Sequence, residues 1–526
     1  MLKYGLSKIR RLEQVDAIEL KPITLLVGRN SGGKSSFLRT LPLLRQSLMT
    51  RTSSPILWYG DLVDFGTFDT AVSRQVEEKV ISFSFEIDDI TTDPRPFYVD
   101  EYGEYKRLSA TRTNLKGIKV NISIERRGDR TAISNISIDI TDPKVSFSLT
   151  TEENNNFVKM EIDGEDVSNL IAPVRIRLSS GTIFPDISFW RPRDDTSSPP
   201  WALQGGSSIT PTLTRALRRL IDYRTKDKTI SELASRLAFA GIATPEKFKL
   251  IARNQGATAS SILHQMANSP EIDIFNNIYK IINIINAPSI FRSISQHLIN
   301  IFSSTLYIGP ARVRSDRYYR YQDLAVSEID PDGKNFPMFL NSLSKRQIDE
   351  FSAWVKHLFG YGVSISRSTG HISINLTEGK AETNIVDVGY GVSQILPVLG
   401  QIWWANNRPP TRNSRPPISI LAIEQPELHL HPAHQALLAD ALIGEVQSPS
   451  RRPDNEMRYV VETHSETLIN RLGEFITAGR LSPADVQVVL FEAQDGSSTT
   501  NVRTVGFDND GGLIDWPYGF FQPEAF

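Results

Sequence analysis

The sequence predicts an α/β protein in which a mixed sheet flanked by helices is joined to an antiparallel β-subdomain and interrupted by a helical insertion. Three observations lead there. The stretch Gly28-Arg29-Asn30-Ser31-Gly32-Gly33-Lys34-Ser35 fits G-x-x-x-x-G-K-[ST], and it lies between the apolar run Pro22–Val27 and a helical pattern from Phe37. Between Val80 and Ile162 the hydrophobic period becomes two. From Ile418 onward, short apolar strands alternate with helices, the βα grammar of a parallel sheet.

Taken in order, the chain opens with strands near Leu6 to Leu12, Ile18 to Leu20 and Ile23 to Val27, then a loop and a helix. Tyr59–Gly66 punctuates a loop. Alternation then marks Val80–Ile87, Ile118–Ile124, Ile136–Ile140, Val145–Leu149 and Phe157–Ile162, which predicts an antiparallel meander. The polar, Pro- and Ser-containing segment Arg191–Ser208 reads as a linker into helices from Pro211 to Ser303. A strand returns at Leu306–Gly309, a helix at Gln347–Leu358, and strands at Val363–Ser366 and Ile372–Leu376. Buried strands follow at Ile418–Ile423, Tyr459–Val461 and Val486–Leu490. The expected division is 1–190, 191–305 and 306–526, the first and last pieces forming one nucleotide core.

At 526 residues the chain exceeds what a single core usually supports, so two or three lobes are expected. With 58 basic and 60 acidic residues, nucleic-acid binding would need a local patch. There is no cysteine, which excludes disulfides, thiolate nucleophiles and Cys-ligated metals. No apolar run approaches about 18 residues and no signal peptide opens the chain, so a cytoplasmic protein without membrane contact is expected.

Four motifs carry chemistry. In the first, glycines let backbone N–H groups turn onto phosphate oxygens at a helix N-terminus, so Gly28 to Ser36 are the candidate ATP cradle. Lys34 would reach the β/γ-phosphates and Ser35 would ligate Mg²⁺. In the second, Ile418–Ile423 is a buried strand that ends in Glu424-Gln425-Pro426-Glu427. Glu424 is the candidate acid beside Mg²⁺. The following position, where many ATPases carry a general base, is Gln425. An amide orients water but cannot take its proton, so either Glu427 is the base or hydrolysis is slow. Pro432 explains His429, His431 and His434 as a loop entering the helix Ala433–Ile443, with metal binding the minor alternative. In the third, His464 follows a core strand and is the candidate γ-phosphate sensor. In the fourth, Asp387–Gln394 precedes a helix expected at Ile395–Ala405. Gly391, Ser393 and Gln394 there suggest a second anion cradle, one that serves a second chain.

In this order the motifs resemble the heads of ABC/SMC-type ATPases, most nearly the prokaryotic AAA ATPase group that includes the overcoming-lysogeny-defect and Septu/retron ATPases. The resemblance extends to Leu428–Pro432, Glu462–Ser465 and the tail Asp515–Phe521, and it spares the middle of the chain. It implies a head-to-tail homodimer or higher oligomer, with Gly391 and Ser393 of one subunit closing over ATP held by Gly28–Ser35 of another. It also implies antiphage defence. Two departures stand out: Gln425 replaces the usual base, and no Gln-loop is evident, Asp61 or Asp64 standing in that region. Relatives with a fused nuclease carry a Toprim domain after the sensor histidine. Phe526 comes too soon after His464 for one, so a separate effector, such as an HNH-type nuclease, is expected.

Two basic groups remain open between nucleic-acid contact and a solvated or ion-paired face: Arg215 to Lys228, and Arg312, Arg314, Arg317 and Arg320 interleaved with Tyr318, Tyr319 and Tyr321. The leading expectation is an ATP-driven switch that controls a nuclease. The alternative is a DNA-binding ATPase of repair or maintenance.

Overall fold

In the computed structural model, residues 1–74, 76–92, 97–99, 105–107, 112–152, 157–190, 209–221, 223–238, 241–242, 272–323, 326–407, 418–446, 456–493 and 499–517 are described. The expected linker Arg191–Ser208, much of the expected insertion and the end of the tail lie outside them.

The chain forms two compact units. One comprises Met1–Leu6, Arg51–Ile56 and Glu77–Ile299; the other comprises Ser7–Thr50, Leu57–Val76 and Asn300–Phe526. In the first, Val80–Thr91, Asn114–Arg127, Arg130–Asp142, Val145–Thr151 and Phe157–Ile162 pair antiparallel in sequence order, and Arg175–Leu178 and Ile187–Trp190 extend the sheet. Every strand that alternation marks is present. Ile81, Phe83, Phe85 and Ile87 are buried while Ser82, Ser84 and Glu86 between them are partly exposed, so one face supplies a core. Phe291, on the helix Ile272–Ser303, packs edge-on to Phe147 with ring centroids 6.0 Å apart.

The second unit holds a six-stranded sheet made of β1 (Ile23–Gly28), β2 (Leu306–Ile308), β3 (Ile418–Glu424), β4 (Glu456–Glu462), β5 (Val486–Ala493) and β6 (Thr500–Val505). Its order is β2-β3-β4-β1-β5-β6, parallel except for the last pair. Every residue of β1 and β3 is buried, as both-sided helix cover requires. The helices that serve the site are α1 (Lys34–Met49), α2 (Tyr390–Asn407), α3 (Pro432–Val446) and α4 (Glu466–Thr477). A four-stranded antiparallel sheet, in which His371–Glu378 pairs with each of the other strands, Gly362–Ser368 among them, leads into α2.

Two boundaries differ from expectation. The first strands run Leu2–Ile9 and Leu12–Glu19, because the break falls at a turn where Arg10 has φ of 51°. Helix α2 starts at Tyr390 rather than Ile395. Val392 N–H bonds to Gly389 O at 3.0 Å and Ser393 Oγ donates to Tyr390 O at 2.7 Å, which winds the glycine segment into the first turn. Among the described residues no helix is long and apolar enough to cross a membrane.

Candidate functional site

Strand β1 delivers the chain to the centre of the sheet, and the loop Gly28–Gly33 turns it into α1. Glycine is needed twice here. A Cβ on Gly28 would stand 2.4 Å from the Phe491 carbonyl oxygen of β5. Gly33 has φ of 95°, and a Cβ there would meet the Leu12 side chain at 2.6 Å. Phe37, one turn into α1, packs against Phe491 with centroids 5.9 Å apart and fixes the helix start against β5. The first-turn N–H groups of α1 have no carbonyl one turn back, so they are available to an anion. Lys34 Nζ donates to Gly28 O and Arg29 O, both at 2.9 Å, and its side chain is buried. Burial lowers its pKa, against an opposing pull from Glu462 and Glu427.

Glu424 and Glu462 end β3 and β4 as register partners. The sequence reading places Glu424 near Ser35; in the structure the carboxylate against Ser35 is Glu462. Ser35 Oγ donates to Glu462 Oε1 at 2.8 Å. Glu462 is 2% exposed, and its Oε2 has no hydrogen-bond partner among the described residues. Burial pushes its pKa up to about 7, and the repulsion of Glu424 adds to that. The Ser35 bond, Lys34 and Arg39 oppose it.

Glu424 is occupied otherwise. Arg39 binds it through Nε and Nη2, each at 2.8 Å, and Tyr307 Oη donates to Oε1 at 2.7 Å. That bond to Glu424 raises the Arg39 pKa, and burial raises that of Tyr307. Arg312 Nη2 donates to the Glu424 and Gln425 carbonyls at 3.0 and 3.3 Å. Burial lowers the Arg312 pKa to about 10. Arg39 lies four residues after Ser35, hence on the same helix face, a spacing that marks it from sequence. Nothing local marks Glu462, Tyr307 or Arg312 for these roles.

Gln425 has φ of 41°, and its N–H bonds to Glu462 O at 2.8 Å. Glu427 is 7% exposed and its Oε1 accepts the His464 backbone N–H at 2.6 Å, so it anchors the loop that carries His464. Burial raises its pKa, more than the His464 bond lowers it. The His464 ring is exposed, and partial desolvation together with the Lys34 charge holds its pKa below the ordinary value. Lys34, Ser35, Glu427 and His464 are thus brought together at the C-terminal edge of the sheet.

The fourth motif packs against the chain that follows Glu427 and beside Arg312. Gly391 packs so closely on the chain that a Cβ would stand 2.4 Å from His429 O. Ser393 and Gln394 are buried, Gln394 reaching Val313 O at 3.4 Å. Asp387, Gly389 and Tyr390 are the exposed members. Helix α3 starts at Pro432, as expected, and among the described residues no three His, Asp or Glu side chains are grouped as metal ligands. Asp64 Oδ1 accepts Gly66 N–H at 2.6 Å within a turn. Of the second basic group, Arg312 is buried and Arg317 pairs with Asp387, which removes both from a free cationic face.

Residues 243–469 match the family model of the AAA ATPase domain. That segment includes Glu424, Gln425, Glu427, His464 and Gly389–Gln394; Gly28–Ser36 lie before it. No curated protein sequence matches the chain. Among solved structures, an SMC head bound to the C-terminal winged-helix domain of ScpA is 11% identical, with a TM-score of 0.32, over 96% of this chain and 97% of that one. The SMC head domain from Thermotoga maritima is 10% identical, with a TM-score of 0.33, over 95% and 97%.

Proposed function

We propose that the chain binds ATP with Mg²⁺ at Gly28–Ser36 and uses it as a switch. One observation carries the reading: Lys34 and Ser35, in the first turn of α1, and His464, just past the end of β4, converge at the carboxyl edge of a parallel sheet, with Glu427 holding the His464 backbone. The residues fit the ligand. The glycine loop admits nothing larger than hydrogen at Gly28, the helix start offers N–H donors, and Lys34 supplies a buried ammonium. Ser35 would hold the cation, which lowers the phosphate charge when bound. Exchange of the Lys34 carbonyl partners for phosphate oxygens costs little, because both are acceptors.

Hydrolysis by such a site is slow. Gln425 orients water without taking its proton, and Glu427 is buried, with one carboxylate oxygen held by the His464 backbone N–H. Nucleotide therefore acts chiefly through binding. In the reading that the motif resemblance supports, two copies close head to tail, Gly389 and Tyr390 at the start of α2 presenting the second cradle to the neighbour's nucleotide. The closed pair then controls a separately encoded nuclease in antiphage defence.

Lys34→Ala should weaken ATP binding by about 10–100-fold, the worth of one charge-assisted bond. Light scattering with ATP should show a mass increase that Tyr390→Glu abolishes while nucleotide binding persists. Tyr390 is the better probe of closure, since an Arg at buried Ser393 would disturb α2 itself. A mass that ignores both ATP and Tyr390→Glu contradicts the switch. ATP binding that survives Lys34→Ala contradicts the site.

A further inference from the structure

We infer that Glu462, and not Glu424, is the carboxylate that completes the divalent-cation site begun by Ser35, while Glu424 positions Arg39 and Tyr307. The inference rests on the nucleotide reading above and assigns within it a residue that the motif pattern leaves without a role.

The two acids differ in what their oxygens have left to give. Glu424 Oε1 takes Arg39 Nε and Tyr307 Oη, its Oε2 takes Arg39 Nη2, and its carbonyl takes Arg312. It is a neutralised, fully bonded carboxylate. Glu462 takes one bond, from a hydroxyl, and its Oε2 is buried without a partner among the described residues. A buried carboxylate oxygen without a donor is costly, and a hard divalent cation or one of its coordinated waters satisfies it. Lys34 does not serve here, because its Nζ is bonded to the Gly28 and Arg29 carbonyls.

The Ser35 contact points the same way. A hydroxyl that gives its hydrogen to Glu462 turns its lone pairs outward, so Ser35 Oγ and the free oxygen of Glu462 offer two oxygen donors joined by one hydrogen bond. Carboxylate, hydroxyl and phosphate oxygens make the oxygen-rich, water-retaining set that Mg²⁺ or Mn²⁺ prefers.

The test uses the full chain with a non-hydrolysable ATP analogue and Mn²⁺, free Mn²⁺ being counted by its electron paramagnetic resonance signal. Analogue affinity is measured separately in EDTA. Glu462→Gln should weaken Mn²⁺ binding at least about tenfold, in line with what even indirect metal contacts are worth, and leave analogue affinity in EDTA unchanged. Glu462→Asp, which keeps the charge, should recover part of the loss. Glu424→Gln should change Mn²⁺ affinity by less than about threefold. Unchanged Mn²⁺ affinity in Glu462→Gln overturns the assignment, as does an equal loss in Glu424→Gln. If Glu424→Gln does not fold, Glu462→Gln decides alone. If Lys34→Ala leaves analogue binding in EDTA at the wild-type level, the nucleotide reading falls, and this inference with it.

Discussion

Glu424 and Glu462 end adjacent strands, face each other in register and are equally buried, yet one is saturated with cationic and hydroxyl donors and the other is nearly bare. The difference comes from the path of α1. The helix leaves β1, whose neighbour is β4 and whose next neighbour is β3. Four residues of helix rise about 6 Å, close to the spacing of about 4.8 Å between strands. Ser35 therefore meets the end of β4, and Arg39, one turn on and on the same face, meets the end of β3. Strand order and helix pitch, rather than the chemistry of either acid, decide which carboxylate stands by the first turn.

The sharpest way to break the comparison is to strip the saturated end. Arg39→Ala leaves the 1% exposed Glu424 side chain with Tyr307 as its remaining hydrogen-bond donor among the described residues. Loss of one member of a buried pair costs about 3 kcal/mol or more, whereas removal of both often costs little. The double variant Arg39→Met/Glu424→Leu should therefore recover most of the stability that Arg39→Ala loses. Urea unfolding followed by the fluorescence of Trp403 and Trp404, both buried in this unit, reads the effect. A double variant no better than Arg39→Ala would mean that Glu424 is not the reason for the loss.

Tyr307→Phe tests the same end more gently. It removes one hydroxyl, 2.7 Å from a carboxylate, with little change of shape, and should cost about 2 kcal/mol, the worth of a bond to a charged group. It should leave Mn²⁺ affinity in the nucleotide complex near wild type, because Glu424 lies off the cation site in the assignment above. A loss of metal affinity without a loss of stability would reverse the roles of the two strand ends.

Much of this was legible in the sequence. G-x-x-x-x-G-K-S with an apolar run before it locates β1, the loop and α1, because that turn chemistry has few alternatives. The meander follows from alternation, since a half-buried strand must alternate. Glu462 was hidden because it reads as the last residue before a histidine loop. Only the β3-β4-β1 order, a product of long-range pairing, sets it beside Ser35. Arg312 reads as one of a basic group with tyrosines, yet folding buries it on the Glu424 and Gln425 carbonyls. The sequence puts the start of α2 at Ile395 because glycines argue for a turn, whereas the chain, with Gly391 packed on His429 O, is helical from Tyr390.

A further buried carboxylate, on a helix rather than at a strand end, sharpens the comparison with the smallest effect. Glu445 is 8% exposed on α3, and burial alone pushes its pKa up to about 7 from an ordinary 4.5. A raised acid pKa means that the folded state holds a proton that the unfolded state has released between those two values. Stability should thus fall as pH rises from about 4.5 to 7 and level off above. Glu445→Gln removes the titration, so its stability relative to wild type should grow between pH 5 and pH 8, by about 1 kcal/mol once solvent access is allowed for. Urea midpoints of both proteins at the two pH values measure it. A gap that is the same at both would show that Glu445 ionises as easily inside the fold as outside it, and that burial does not suffice to hold a carboxyl proton in this helix layer.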